Sequence, residues 1–349
     1  MGRMSALLEL VAAFRPEEFH VVHRRDLGLT AFIAIDDTRL GPATGGIRWR
    51  SYPTPEDGAQ DVLRLARAMT HKNAFAELDL GGGKTVVLHD PVMRADEAFP
   101  ALGEAIEGLG GRYVTACDYG TTAAELALVT SRTRFALPED AAGGLDLGTA
   151  TGVLAAIRAV WRRIGWRDTL DGVRVLVQGV GDVGLVLVRL LIEAGADVRI
   201  SEVVEARAAR CLAAYDVTRV PADGALLADV DVVAPCAVGE VITADVARAM
   251  RARGIAGAAN NQLASDDVGS ILQARGIWYA PDFAANAGAV IVGFETFAGR
   301  AASALETVRR IEDRVDATFD AAVRDRITPM AAAVRRARAR LDAVHPAAR

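Results

Sequence analysis

The chain has 349 residues, of which 51% are hydrophobic and 24% charged, which predicts about two globular domains and excludes a disordered chain. The net charge of −5 disfavours nucleic acid and acidic membranes as partners. The three cysteines lack metal-type or disulfide spacing, and no uncharged apolar stretch could span a membrane, so we expect a cytoplasmic protein without a metal site.

The first third of the chain mixes strand and helix patterns. Alternating residues at 31–37 predict a half-buried strand, and an apolar face over 57–69 predicts a helix. Further strands are predicted at 85–90, which Pro91 ends, and at 111–116. The Gly-rich stretch 141–148 is predicted to be the hinge between two domains.

From residue 151 onward, strand and helix patterns alternate. Strands are predicted at 173–179, 197–201, 229–236, 254–260 and 276–283, and helices at 151–161 and 183–194. From residue 301 the chain is charged and helical, and its arginine-rich end is interpreted as a solvated helix face. The alternation predicts a parallel, doubly wound sheet.

A glycine turn follows the strand predicted at 173–179. Residues 179–184 read G-x-G-x-x-G between that strand and a helix, which is the context of a dinucleotide-binding turn. Gly179 permits the tight turn, Gly181 leaves the backbone open to a pyrophosphate, and Gly184 allows close packing. The helix N-terminus offers N–H groups to phosphates. The predicted cofactor contacts in this turn are Gly179, Gly181, Asp182, Val183 and Gly184.

Glu202 ends the second strand of this region. An acid at this place can accept hydrogen bonds from both adenosine ribose hydroxyls and would repel a 2′-phosphate, which favours NAD over NADP. The alternative is that Glu202 is an ordinary surface acid.

Two lysines, Lys72 and Lys84, lie 12 positions apart in a glycine-rich segment. The Gly-Lys pair suggests a phosphate-binding loop, but that loop needs a glycine where Leu78 stands, so an NTPase is disfavoured. Together with the distant dinucleotide turn, the lysines predict redox chemistry on a substrate that carries a carboxylate and a nitrogen.

Eight motifs occur in a familiar order: LGPATGGIR, MTHKNA, LDLGGGKTVV, GRYVTACD, VQGVGDVG, APCAVGEVI, AGAANNQLA and YAPDFAANAGAVI. Through them the chain resembles the amino acid dehydrogenases of the Glu/Leu/Phe/Val dehydrogenase superfamily over about residues 31–328, and it is most similar to leucine and valine dehydrogenases. The resemblance implies reversible, NAD-dependent oxidative deamination of an L-amino acid with an aliphatic or other apolar side chain, by a homo-oligomer. We therefore predict a two-domain α/β fold. A mixed α/β catalytic and oligomerisation domain takes residues 1–140 plus about 320–349, and a Rossmann-type, doubly wound NAD-binding domain takes 141–319.

The resemblance also implies roles for three charged residues. Lys72 matches the lysine that binds the substrate carboxylate, Lys84 the lysine that activates water, and Asp118 the acid that shuttles protons to and from the amine. A lysine acts as a base near neutral pH only if its pKa is lowered, for which burial or a second cation such as Lys72 is needed. The alternatives are a surface lysine at 72 and a turn-capping acid at 118. The triple glycine before Lys84 is expected to let the backbone crowd a substrate.

The remaining contacts are implied by resemblance alone. Further substrate-binding positions are Thr44, Gly45, Gly46, Ala116, Asn260, Asn261, Val290 and Gly293. Further cofactor-binding positions are Thr149, Glu202, Ala237, Val238 and Asn260.

The side-chain pocket is predicted to be uncharged. No lysine or arginine stands at the four pocket-wall positions Thr44, Ala116, Val290 and Gly293, so a glutamate side chain would lack a partner. Departures from the family pattern, at Thr44, Tyr119, Ala289 and Gly293, leave the identity of the amino acid open. The alternatives are an altered family member acting on an unusual amino acid or an imine, a reductase of a preformed imine or a 2-hydroxy acid, and a non-catalytic NAD-binding protein.

Overall fold

The computed structural model of the chain describes three segments: 6–137, 144–165 and 168–344. The chain divides into two compact units, one of residues 1–143 with 337–349 and the other of residues 144–336. Among the helices of the described segments, none combines the length and the hydropathy needed to cross a bilayer.

The first unit contains a mixed sheet with helices on both faces. Its elements are α1 Ala6–Phe14, β1 Glu18–Arg24, β2 Leu29–Asp37, β3 Ala43–Thr44, β4 Ile47–Arg50, α2 Pro55–Phe75, β5 Gly81–Leu88, α3 Ala95–Glu107, β6 Tyr113–Val114 and α4 Ala123–Thr130. The sheet has the order β1-β2-β5-β3-β6, and β4 also pairs with β5. Strand β2 runs antiparallel to β1 and β5, whereas β3 and β4 run parallel to their partners.

Strand β2 is buried on both faces, because alternate residues enter two separate cores. Phe32 and Ala34 pack in a cluster with apolar residues of α2, whereas Ile33 and Ile35 pack in a cluster with those of α3. Successive side chains of a strand point to opposite faces, so one alternating segment supplies both layers. The predicted strand is confirmed, but the prediction that it is half-buried is wrong, since helices cover both faces.

Helix α2 is longer than the sequence predicted. The Thr54 side chain accepts a hydrogen bond from the Asp57 N–H, and the Asp57 carboxylate accepts one from the Thr54 N–H, which fixes the start of the helix. The helix then continues to Phe75, beyond the predicted end at residue 69. Lys72 and Asn73 therefore lie in the last turns of a helix that is packed on the sheet.

The second unit is built on an all-parallel sheet. Its elements are α5 Leu145–Gly165, β7 Arg174–Gln178, α6 Asp182–Glu193, β8 Asp197–Ser201, α7 Glu205–Ala214, β9 Thr218–Arg219, β10 Val232–Pro235, α8 Ala244–Ala249, β11 Gly254–Ile255, α9 Asp266–Ala274, β12 Trp278–Tyr279, α10 Asp282–Ala285, α11 Gly288–Phe297, α12 Ala304–Arg309 and α13 Ile311–Asp325. The last helix, α14 Pro329–Val344, begins in this unit, and its residues from Ala337 onward belong to the first unit. The strand order is β12-β11-β10-β7-β8-β9, and every neighbouring pair is parallel. Together with the mixed sheet of the first unit, this confirms the predicted two-domain α/β fold with a doubly wound sheet.

Several predicted element boundaries are wrong. Strand β5 begins at Gly81, so it includes the glycines that precede the predicted strand at 85–90. The strand predicted at 111–116 is reduced to Tyr113–Val114. The two units divide after residue 143, which is within the hinge predicted at 141–148; part of that stretch lies outside the described residues, and from Leu145 onward it is the first turn of α5.

A close helix contact explains why the supposed hinge contains glycine. A Cβ atom placed on Gly288 of α11 would lie 1.9 Å from the Gly148 carbonyl oxygen of α5. The two helices therefore approach to backbone contact at these residues. Ala289, the departure from the family pattern, follows directly in α11 and is half-buried.

Candidate active site

The triple glycine at 81–83 is packed against the protein itself. A Cβ atom on Gly82 would lie 2.1 Å from the Thr70 nitrogen of α2. A Cβ atom on Gly83 would lie 2.7 Å from the ring of Tyr113. The expectation that these glycines let the backbone crowd a substrate is therefore wrong, because α2 and the tyrosine ring take that space.

Lys84 follows these glycines and is paired with Asp118. Its side chain is only 7% exposed, and its Nζ lies 3.0 Å from Oδ2 of Asp118. Burial lowers the pKa of Lys84, Asp118 opposes this shift, and the nearby Arg48 guanidinium lowers the pKa further. The structure thus brings the predicted pair into contact, and burial supplies the direction of pKa shift that a lysine base requires.

The Asp118 carboxylate lies between two cations. Arg48 donates a hydrogen bond from Nε to the same Oδ2 atom, at 2.9 Å. Burial alone would raise the pKa of Asp118, but Lys84 and Arg48 lower it to about 2. The turn after β6 is held instead by Thr121, whose hydroxyl accepts a hydrogen bond from the Asp118 N–H. The carboxylate therefore serves the charged cluster, and Thr121 serves the turn.

Arg48 is a residue of this cluster to which sequence reasoning gave no role. From β4 it also donates from Nη1 to Oδ2 of Asp61 in α2, at 3.1 Å. The Tyr52 hydroxyl donates to the same Asp61 oxygen, at 2.7 Å. Arg48 lies two residues after Gly46 in the motif LGPATGGIR, and this position was the sequence signal that could have indicated a role for it.

Lys72 is half-buried near the C-terminal end of α2. The next residue, Asn73, contacts Thr44, one of the predicted pocket-wall positions. The Nδ2 atom of Asn73 donates to the Thr44 hydroxyl oxygen at 2.9 Å and to the Gly81 carbonyl at 2.6 Å. Asn73 is fully buried, and Thr44 is 9% exposed. Thr44, which departs from the family pattern, thus has a buried amide donor that no motif indicated.

Gly45 and Gly46 lie where two backbone segments are in contact. A Cβ atom on Gly45 would lie 1.9 Å from the Gly83 carbonyl oxygen, and one on Gly46 would lie 2.4 Å from that of Cys117. The buried Tyr113 hydroxyl donates to the Gly45 carbonyl at 2.5 Å, and burial raises the pKa of that phenol well above its usual value. This segment is therefore held rigidly beside the Lys84 strand.

Ala116, a predicted substrate-binding position, and Tyr119, a departure from the family pattern, lie in the segment after β6. Ala116 is half-buried, and its carbonyl accepts a hydrogen bond from the Ile47 N–H at 2.9 Å. Tyr119 is 69% exposed, and its carbonyl accepts one from the Trp49 N–H at 3.0 Å. Both residues are thus aligned with β4 by backbone hydrogen bonds.

The glycine turn of the second unit has two packed glycines and one open one. Gly179 has φ +94°, and a Cβ atom on it would lie 2.6 Å from the Ala237 Cβ. A Cβ atom on Gly184 would lie 2.0 Å from the Gly179 carbonyl oxygen. A Cβ atom on Gly181 would meet nothing within 4 Å, and α6 begins directly after it at Asp182. The residues therefore fit a dinucleotide, since helix N–H groups adjoin a space that a side chain at 181 would fill.

Glu202 is joined to this turn by its carboxylate. It is 7% exposed, and its two oxygens accept hydrogen bonds from the Val180 N–H at 2.9 Å and the Val204 N–H at 2.8 Å. Burial would raise its pKa, but these backbone donors lower it below the usual value. The alternative that Glu202 is an ordinary surface acid is wrong, because the side chain is buried against the glycine turn.

The asparagine pair is held by residues of the next motif. Asn286 donates from Nδ2 to Oδ1 of Asn260 at 2.7 Å and to the Ala258 carbonyl at 3.0 Å. Asn261 adopts φ +51°, and its N–H donates to the Asp282 carboxylate. Asn286 therefore orients the side chain of Asn260, a contact that sequence reasoning missed.

The other predicted positions of the second unit lie on two helices and one loop. Thr149 is in α5, where its hydroxyl donates to the Leu145 carbonyl at 3.0 Å. Val290 and Gly293 lie in α11. Val238 is 63% exposed in the loop after β10.

The described residues contain no group of three or more His, Cys, Asp or Glu side chains that could hold a metal ion. The clusters of the first unit are instead composed of paired cations and carboxylates.

Two family models match the chain. Residues 15–135 match the model described as Glu/Leu/Phe/Val dehydrogenase, dimerisation domain. Residues 199–344 match the model described as Glutamate/Leucine/Phenylalanine/Valine dehydrogenase.

Individual relatives cover nearly the whole chain. A leucine dehydrogenase of Geobacillus stearothermophilus is 38% identical over 347 residues, which is 98% of this chain and 95% of the relative. A valine dehydrogenase of Streptomyces virginiae is 40% identical over 335 residues, 93% of this chain and 94% of the relative. The crystal structure of L-tryptophan dehydrogenase from Nostoc punctiforme superposes with a TM-score of 0.85 at 33% identity, covering 97% of this chain and 99% of that one.

Proposed function

The chain belongs to the Glu/Leu/Phe/Val dehydrogenase family and is an amino acid dehydrogenase, and from this premise we propose that it oxidatively deaminates an apolar L-amino acid with NAD. The predicted family resemblance is thereby confirmed. The reaction takes an amino acid, water and NAD⁺ to a 2-oxo acid, ammonium, NADH and a proton. The observation that carries the proposal is the buried contact between Lys84 and Asp118.

The composition of the chain supports a base role for Lys84. Only two of its 40 Lys and Arg residues are lysines, and they are Lys72 and Lys84. An arginine stays protonated at all working pH values, whereas a buried lysine can lose its proton. The proposal assigns the fixed cation to Lys72 and the group that can deprotonate to Lys84.

The proposed steps assign one task to each charged group. NAD, when bound, would supply the hydride acceptor for the oxidation at Cα that turns the amine into an iminium. Asp118 takes a proton from the substrate ammonium before the oxidation, and neutral Lys84 takes a proton from the water that attacks the iminium carbon. Asp118 then returns its proton to the nitrogen, and it takes the proton of the new hydroxyl as the C–N bond breaks and releases ammonia and the 2-oxo acid. Lys72 binds the substrate carboxylate. General acid–base catalysis of this kind contributes about 10²–10⁴-fold in rate.

NAD is proposed over NADP because of Glu202. Its carboxylate is ionised and buried beside the glycine turn. A 2′-phosphate near this charge would be repelled, while ribose hydroxyls can donate to it. The proposal predicts a higher kcat/KM with NADH than with NADPH.

The proposed substrate side chain is apolar. Ala116, Val290 and Gly293 carry no charge, and Thr44 adds only a hydroxyl, which already accepts a hydrogen bond from Asn73. A glutamate side chain would thus face no cation at these positions. One methylene is worth about 1–3 kcal/mol of discrimination in such a pocket, so a panel of substrates is needed to rank them.

We also propose a cytoplasmic homo-oligomer. The matched region 15–135 is described in its family model as a dimerisation domain, and β1 is an edge strand of the first sheet. Light scattering on a sizing column measures the assembly, and a monomer at working concentration would contradict the proposal.

The decisive experiment mixes the protein with NADH, ammonium and a panel of 2-oxo acids, and repeats it with NADPH. Consumption of NADH with at least one apolar 2-oxo acid, dependent on ammonium, is the expected result. Turnover without ammonium would indicate an enzyme that interconverts 2-oxo and 2-hydroxy acids, and turnover only when a preformed imine is supplied would indicate an imine reductase. NADH binding without any turnover would indicate a non-catalytic protein.

A further inference from the structure

Arg48 links the candidate catalytic pair to a second carboxylate. Its Nε lies 2.9 Å from Asp118 Oδ2 and its Nη1 lies 3.1 Å from Asp61 Oδ2, so one guanidinium joins β4 to both carboxylates. The Arg48 side chain is only 15% exposed and that of Asp61 is 12% exposed. A planar guanidinium can hold two acceptors at fixed angles, which an ammonium cannot do.

The two cations around Asp118 approach the same oxygen. Lys84 Nζ makes its closest contact with Oδ2 at 3.0 Å, and the Arg48 contact at 2.9 Å is also with Oδ2. Oδ1 is therefore the oxygen left to face a reactant, and the Asp118 side chain is still 25% exposed.

From this geometry we propose that Arg48 is a positioning residue for the deamination reaction. By binding Oδ2 of Asp118, Arg48 orients the carboxylate so that Oδ2 contacts Lys84 and Oδ1 faces the substrate amine. The inference rests on the proposed function. Arg48 does not exchange protons itself, because a guanidinium stays protonated. Because Arg48 lies between Asp61 and Asp118, Asp61 takes no part in the proposed proton transfers, which involve Asp118, Lys84 and the substrate.

Asp61, the second carboxylate that Arg48 binds, also accepts hydrogen bonds from two other side chains. The Tyr52 hydroxyl donates to Asp61 Oδ2 at 2.7 Å, and Arg64 donates to Asp61 Oδ1 at 2.8 Å. These contacts lower the pKa of Asp61 against the effect of burial, which would raise it. Asp61 thus remains an ionised anchor for Arg48.

The test compares Arg48→Gln, Arg48→Lys and the parent in steady-state deamination. We expect Arg48→Gln to lower kcat about 100-fold, the size of loss that a displaced catalytic group causes, with an unchanged KM for NAD. Arg48→Lys keeps a charge but cannot bridge both carboxylates, so we expect a loss of about 10-fold. The control is Arg132→Gln, an exposed arginine of the first unit whose Nε lies 4.0 Å from Glu104, and its kcat should equal the parent's.

A second measurement does not depend on turnover. Because the chain has two lysines, protein labelled with ¹³Cε-lysine gives two lysine signals, which the Lys84→Ala variant assigns. The charged groups around Lys84 are Asp118, Arg48 and Asp61, and Arg48 is the one whose charge opposes protonation of Lys84. We expect the Lys84 titration midpoint to rise in Arg48→Gln and to stay at the parent value in Arg48→Lys. The rising limb of the kcat/KM profile should move to higher pH with it.

Each outcome decides the proposal. A kcat within threefold of the parent in Arg48→Gln, or an unmoved Lys84 midpoint, overturns it. If Arg48→Gln does not fold, as judged by NADH binding and thermal melting, Arg48→Lys decides: parental kcat rejects the positioning role, and a 10-fold loss with a parental melting temperature supports it. If the parent protein turns over no 2-oxo acid, the proposed function fails, while the lysine titration still shows whether Arg48 controls the pair.

Discussion

The two candidate sites of this chain are formed by different kinds of chemical group. In the first unit, charged side chains in direct contact form the site, with Lys84 and Arg48 on one oxygen of Asp118. In the second unit, the site consists mainly of the backbone of the glycine turn, and the Glu202 side chain accepts hydrogen bonds from backbone N–H groups. The first site is therefore sensitive to charge and proton affinity, and the second to volume. Substitutions can separate these two sensitivities.

The largest effect is expected for the base itself. Lys84→Ala should lower kcat by about 10³-fold, within the range of general acid–base catalysis, because Lys84 is the cation in contact with Asp118 that can lose its proton. NADH binding, measured by fluorescence titration, should stay at the parent value, since the proposed cofactor contacts lie in the second unit.

Lys84→Arg is the matched control for this prediction. It keeps a positive charge beside Asp118 but removes the ability to deprotonate. Equal inactivity of both variants supports the base role. Recovery of activity in Lys84→Arg would show that the site needs only the charge.

An intermediate effect should separate two glycines of the same turn. Gly184→Ala puts a Cβ atom 2.0 Å from the Gly179 carbonyl oxygen, so α6 must shift and the free energy of unfolding should fall by about 1–3 kcal/mol. Gly181→Ala meets no protein atom within 4 Å, so stability should be unchanged while NADH affinity falls. Thermal melting and NADH titration of both variants measure the difference. Unchanged NADH affinity in Gly181→Ala would exclude this space as the phosphate site.

The smallest effect is expected where a neutral hydroxyl supports the first site. Tyr113→Phe removes the donor to the Gly45 carbonyl and the acceptor for the Thr85 hydroxyl. Loss of such a buried hydrogen bond costs about 1–3 kcal/mol, which denaturant unfolding can measure, and KM for the amino acid should rise only slightly. Tyr119→Phe, at a tyrosine that is 69% exposed, serves as the stability control and should leave the free energy of unfolding unchanged.

The sequence predicted those parts of the fold whose signals are local. The strand–helix alternation of the second unit indicated a parallel sheet, and β8 has the predicted bounds of 197–201. The glycines at 81–83 were interpreted as room for a ligand, which is wrong; Gly148 was interpreted as part of a hinge, and the two units do divide within 141–148. In each case another part of the chain fills the space left by the missing side chain, and that neighbour is fixed only by folding.

The candidate active site was also predicted only where its signals are local in the sequence. Motifs gave Lys84 and Asp118, whose contact the structure shows, but they gave no role to Arg48, Asn73 or Asn286. These three residues act on partners 70, 29 and 26 positions away, respectively. A spacing rule within one element cannot find such pairs, because the fold brings their partners together.

The contact between Asn73 and Thr44 has a consequence for how substrate preference can evolve. Replacing Thr44 by a larger aliphatic residue removes the oxygen that accepts from the buried Asn73 amide. An unsatisfied buried donor costs about 1–3 kcal/mol, so the single change is penalised before any new substrate is gained. Substitutions at 44 and 73 should therefore be epistatic, and selection for a new amino acid would reach this pocket most easily by changing position 73 first or both positions together.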